Sequence, residues 1–172
     1  MVFAKTSKAA SRLSESLRNG ELEKKYLAVV VGEPREKSLV GLTNYLIKDT
    51  EKNIVYSVPM ATEGAKKAVL DYTTIATDHT SSLLWIKLHT GRAHQIRVQM
   101  ATLGHPLFGD NKYGQGKSPA EFGLALWATE LKLIHPVTKE THVFRVYPPT
   151  DRIPWNQFDI PRYLSISIKN IY

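Results

Sequence analysis

The sequence predicts an α+β domain: a mixed, mainly antiparallel sheet with helices packed on it. Three observations carry that prediction. Short apolar segments recur along the chain with turn residues between them, the pattern of consecutive hairpins. Only two stretches, one after Thr6 and one after Gly91, change to a helical period. With 172 residues, 42% of them apolar and 23% charged, the chain suits one domain that buries roughly two-thirds of its unfolded surface.

Taken in order, Met1-Val2-Phe3-Ala4 is apolar and strand-like, and it reads as cut into an element that began earlier. It has no charged region ahead of an apolar stretch, so it does not read as a signal peptide. A helix is predicted from Ser7, as N-cap, to Arg18, with Ala9, Leu13 and Leu17 on its buried face and Asn19-Gly20 as its stop. Lys25 to Val31 is apolar at both parities, which marks a central strand covered on both sides. Asn44–Lys48 and Ile54–Val58 flank a turn, as do Ala68–Ala76 and Leu83–Leu88. Ile96, Met100 and Leu103 share one face of a helix that stops at Gly104. Leu124–Leu133 and Thr141–Val146 read as two further strands joined through His135-Pro136. From Tyr147 onward, four prolines predict extended chain anchored by Trp155 and Phe158. Ser165–Tyr172 fits either a short strand or disorder. The division expected is therefore 1–147 for the domain and 148–172 for an extended tail.

Composition narrows the partners. No apolar run approaches the ~18 residues that span a bilayer, so no membrane is expected. The absence of cysteine rules out disulfides and thiolate metal sites and fits the cytoplasm. A net charge of +7 favours a polyanionic partner over a merely soluble basic surface once its distribution is considered. From Met1 to Ser14 there are three bases and no acid, and from Lys87 to Gly109 three bases, three histidines and no acid.

Chemistry concentrates in Leu88-His89-Thr90-Gly91-Arg92-Ala93-His94-Gln95-Ile96-Arg97. A strand ends, a glycine turns the chain, and a helix opens with amides and cations that attract an anion such as phosphate. Arg92 lies at the turn, and Arg97 lies a full turn inside the helix, on a face that looks into a cleft. The alternative is a solvated helix start. His89 and His94 lack a neighbouring carboxylate and the spacing of a metal pair, so no metal is expected. Tyr26, inside an apolar strand, is by itself a core aromatic.

Four stretches together resemble the RluA-type RNA pseudouridine synthases: Lys24-Lys25-Tyr26-Leu27-Ala28-Val29-Val30-Val31-Gly32, the Leu88–Val98 segment, Leu103-Gly104-His105-Pro106-Leu107-Phe108-Gly109-Asp110-Asn111-Lys112-Tyr113-Gly114, and Leu124-Ala125-Leu126-Trp127-Ala128 before His135-Pro136. The resemblance implies part of that family's catalytic domain, no cofactor and no metal, and isomerisation of uridine to pseudouridine in structured ribosomal or transfer RNA, with the target base flipped from its stack. It implies a catalytic role for Tyr26, which stacks on the uracil and takes the C5 proton, and for Arg97, which pairs with a nucleophilic aspartate. It places Arg92, His94 and Lys112 against the RNA. The aspartate itself belongs to a His-Arg-Leu-Asp stretch that is absent, and none of Asp49, Asp71, Asp78, Asp110, Asp151 and Asp159 has that context. The expectation is thus a fragment that is inactive as it stands, with an exposed sheet edge at Met1–Lys5 that favours dimers or aggregates. The second reading is a non-catalytic RNA-binding module derived from such an enzyme.

Overall fold

The computed structural model describes residues 2–35, 38–117 and 120–171. Seven strands form one sheet: β1 (Glu23–Val31), β2 (Val40–Asp49), β3 (Ile54–Val58), β4 (Lys66–Thr77), β5 (Ser81–Leu88), β6 (Leu126–Ile134) and β7 (Thr141–Arg145). Their spatial order is β3-β2-β4-β5-β1-β6-β7, and every pairing among them is antiparallel. Three α-helices accompany the sheet: α1 (Ser7–Arg18), α2 (Gln95–Thr102) and α3 (Ile160–Ile171). The predicted α+β class and all seven strands are present.

β1 explains the sheet. It pairs with β5 on one side and β6 on the other, and Leu27 through Val30 are fully buried. Because successive side chains in a strand point to opposite faces, the even and odd residues enter different cores. Ala28 and Val30 join Leu70, Tyr72, Leu84, Ile86, Leu107 and, from α2, Ile96 and Met100. Leu27 and Val29 join Leu83, Trp85, Ala125 and the residues Trp155, Phe158, Ile160 and Leu164 near the chain's end. A strand covered on both faces has no solvent side to make polar, which is why it reads as a continuous apolar run.

Three expectations need correction. The chain from Tyr147 is not extended. Trp155 and Phe158 are the anchors foreseen, but Trp155–Gln157 forms a 3-10 turn and Ile160–Ile171 a helix that covers the odd-numbered face. Pro161 lies in the first turn of α3, where a missing N–H costs nothing. Tyr172 lies outside the described residues. Helix α1 has the predicted span, but its N-cap is Thr6, whose hydroxyl accepts from the Ala9 N–H at 3.2 Å. None of its residues is buried, and Leu17 is 49% exposed, because α1 rides at the rim and covers no core. Finally, Val2–Ala4 form no strand and Phe3 is 80% exposed, so the open sheet edge is β7. Met1 lies outside the described residues.

The first and third helices should respond differently to truncation. Ile160→Ala, at a fully buried site, should cost about 2–5 kcal/mol. Leu17→Ala on α1 should stay within about 0.5 kcal/mol, as a rim substitution does. Urea denaturation of both variants measures the contrast, and equal losses would mean that α3 does not cap the core as described.

Candidate functional site

Helix α2 is held at its start by a side-chain clamp. Gln95 is 3% exposed, and its Oε1 accepts from the Arg92 N–H and the Thr90 hydroxyl, both at 2.9 Å, while its Nε2 donates to the Val69 carbonyl at 3.1 Å. The Val69 N–H in turn donates to the Thr90 Oγ1 at 2.8 Å. The turn after β5 is thereby stapled to β4. One of the amides expected to face an anion is consequently occupied by the protein itself. Arg92 is exposed at the turn, and its Nε donates to the Lys67 carbonyl at 3.0 Å, which fixes the direction of the guanidinium.

One turn further on, Arg97 meets Asp110. Nε and Nη2 donate to the two carboxylate oxygens at 2.8 and 2.7 Å, a bidentate fork. The Asp110 side chain is wholly buried and that of Arg97 nearly so, at 0% and 19% exposure. Burial would raise the Asp110 carboxyl, but the Arg97 hydrogen bonds, the Tyr113 and Lys112 amides and the Arg97 charge together hold it below the ordinary range. A nucleophile must reach its substrate, and this carboxylate is sealed and saturated. Asp110 is therefore a structural anion. Arg97, expected to pair with a nucleophilic aspartate, pairs here with Asp110, thirteen residues away.

Asp110 owes its place to two glycines. A Cβ on Gly109 would lie 1.8 Å from the Gly123 carbonyl oxygen, and one on Gly114 would lie 2.3 Å from the Asp110 carbonyl oxygen. Between them Tyr113 is a crossing point. Its hydroxyl accepts from the Val55 N–H at 2.9 Å and contacts His94 Nδ1 at 2.7 Å, and the Arg97 guanidinium lies 5.0 Å from its ring centre. Burial first, and then the charges of Arg97, Lys112 and Lys48, push the His94 imidazole down against the pull of Asp110. It is a neutral ring whose Nδ1 faces the tyrosine. Lys112 donates from Nζ to the Asn53 carbonyl at 2.8 Å and closes the same cluster over the β2–β3 turn.

Tyr26 sits apart. It packs on the cluster that holds Ile96 and Met100, so it shares a side of the sheet with α2. The groove it lines has a volume of about 620 Å³ and is otherwise walled by Val2, Phe3, Leu22, Lys24 and the facing parts of β6 and β7, including Phe144. Arg97 does not line it. Burial pushes the Tyr26 phenol up, so it is a neutral ring with a hydroxyl and not a phenolate. Glu130, in the same wall, is bound by buried Lys25 at 2.7 Å and by Arg145 at 2.6 Å. Burial raises its carboxyl, but those two cations lower it further, so it stays ionised.

The five residues singled out by sequence thus occupy three places. Arg97, His94 and Lys112 belong to the Asp110–Tyr113 cluster, Tyr26 to the apolar groove, and Arg92 to a second, polar groove beside β1. Sequence reasoning missed Gln95 as a clamp and Tyr113 as a hub. The glycines bracketing Asp110 were the available signal for the latter.

The family model for RNA pseudouridylate synthase matches residues 1–102. Among curated relatives, an uncharacterized RNA pseudouridine synthase of Bacillus subtilis, YjbO, is 38% identical over 152 residues, 88% of this chain and 52% of that protein. The ribosomal large subunit pseudouridine synthase D of Vibrio cholerae is 34% identical over 168 residues, 89% of this chain and 50% of that protein. The chain therefore spans about half the length of these relatives. Among solved structures, Human RNA Pseudouridylate Synthase Domain Containing 1 superposes with a TM-score of 0.72 at 24% identity, over 85% of this chain and 62% of that one. That likeness is one of fold.

The geometry around Asp110 predicts an acid response. Its carboxyl is depressed in the folded state, so the native protein binds fewer protons there than the unfolded one. The stabilisation is complete above the unfolded value and is lost as pH falls through the folded one. Asp110→Asn should cost about 3 kcal/mol near neutrality by leaving Arg97 unpaired, and should flatten the decline of stability in acid. Urea midpoints taken across an acidic pH series test both, and a wild-type acid slope in the variant would assign the titration elsewhere.

Proposed function

From the premise that this chain belongs to the RluA-type RNA pseudouridine synthase family, we propose that it supplies the base-stacking half of an enzyme that isomerises uridine in ribosomal or transfer RNA in the cytoplasm. The observation that carries the reading is Tyr26, an aromatic ring in the wall of an open groove, within the residues matched by the family model. A flipped uracil is a flat ring that gains from an aromatic partner in such a groove. Phe3 and Phe144 add further apolar surface beside it.

We assign no nucleophile to these 172 residues. Asp110 is sealed by Arg97, and Glu130 is held by Lys25 and Arg145. Arg97 acts in this proposal as a positioning residue: its fork fixes the Asp110 loop, and the free N–H groups on the rest of its guanidinium remain to meet a second carboxylate. The reading of this chain as an RNA-binding module without catalysis shares the groove and differs only in the absence of turnover.

Tritium release from C5-labelled uridine in RNA separates the two. The chain alone should release none. Fused at its amino terminus to the segment of a relative that contains His-Arg-Leu-Asp, it should release tritium, and Tyr26→Phe in that fusion should slow release by at least about tenfold if the hydroxyl moves the proton. Release by the chain alone overturns the assignment of an absent nucleophile. A fusion that folds and binds RNA without release favours the module.

A further inference from the structure

We propose that the polar groove beside the Tyr26 groove is a phosphate track for the RNA strand that delivers the base, with Lys24 as the shared wall; this rests on the reading given under Proposed function. The second groove, about 570 Å³, lies between the end of α1, the start of β1 and the turn after β5. Four cations line it, Arg18, Lys24, Lys87 and Arg92, against one carboxylate, Glu23. Glu23 already receives Lys132 at 2.9 Å and Lys87 at 3.3 Å, so it does not neutralise the others. Among the described residues, neither the Arg18 nor the Lys24 side chain has a bonded partner within the protein. Arg92, tethered through Nε to the Lys67 carbonyl, keeps the remainder of its fork for a ligand.

Shape agrees with charge. Gly20 and Gly91 are in the lining, and a Cβ on either would meet nothing within 4 Å. The wall there is bare backbone beside open space, which admits close approach of a bulky tetrahedral anion. Leu22 and Lys24 line both grooves, so the cationic channel leads directly to the aromatic one. Cations that track a backbone, set beside rings on which bases stack, are what a single strand of nucleic acid requires. An acidic peptide would use the cations and leave the adjoining aromatic groove unexplained.

The test is equilibrium binding of a fluorescein-labelled RNA hairpin with a uridine-containing loop, over a range of salt. Each phosphate contact on a single strand contributes about 0.7 to the slope of log affinity against log salt. Arg18→Ala with Lys24→Ala should therefore flatten that slope by about 1.4 and leave the melting temperature unchanged. Arg18→Lys with Lys24→Arg should restore the slope, and Lys139→Gln, which lines neither groove, should leave it as in the wild type. If the wild type binds with a salt slope and the double alanine variant matches it, the track is wrong while the RNA reading stands. If the wild type binds no RNA, the proposed function falls and the track with it.

Discussion

The alternation of β1 is the constraint on which the rest of the molecule depends. One strand feeds two cores, and the parity of each residue decides which. Even residues meet α2, and with it the clamp at Gln95 and the fork at Arg97. Odd residues meet the 3-10 turn and α3. Tyr26 is even, so it faces the same side as α2, and it pairs with Ile86 of β5 on one side and Ala128 of β6 on the other. A register bulge between Lys25 and Tyr26 lies at that point, where the strand passes from a buried ion pair to the groove. The Tyr26 ring and the buried lysine are neighbours in sequence on opposite faces because strand geometry leaves no other choice.

The two charge clusters serve different ends. At Asp110 a carboxylate is surrounded by donors, and its stability contribution is that of a buried pair whose members satisfy one another. Its consequence is mechanical. Arg97, His94, Tyr113 and Lys112 tie α2, the loop after it and the β2–β3 hairpin into one unit. Beside β1 the balance is reversed: cations outnumber the carboxylate in the groove, and two of them have no partner among the described residues. A protein spends little on exposed unpaired cations for folding, since exposed pairs contribute little either way. On the proposal of a phosphate track, their value is the attraction of an anion from solution.

What the sequence disclosed and what it concealed divide by range. Hairpins, the both-faced run of β1 and the α2 stop at Gly104 rest on signals within a few residues, and each was legible. The α1 periodicity of Ala9, Leu13 and Leu17 names a face but not what lies against it, and here almost nothing does. The prolines after Tyr147 suggested extension, yet Pro161 falls in the one turn of a helix that tolerates it. Tyr26 was legible as a groove residue only through family resemblance, because an aromatic ring in an apolar strand is ordinarily core. The Arg97–Asp110 fork required knowledge that Gly104 and Gly109 fold the intervening loop back on the helix. Periodicity carries no such information.

The sheet has unequal ends, and this sets the arithmetic of any self-association. At β3 the Val55 N–H is already donated to the Tyr113 hydroxyl, and the neighbouring Asn53 carbonyl already accepts from Lys112 Nζ. At β7 the strand pairs with β6 alone, and Phe144 is 57% exposed. Two copies joined edge to edge would pair β7 with β7 about a two-fold axis, an isologous contact that uses up the open β7 edge of each. Growth would end at that step, because a further copy would find only blunted β3 edges. In such an association the hub tyrosine that locks the hairpin to α2 would end the growth, giving a closed pair in place of an open-ended ribbon.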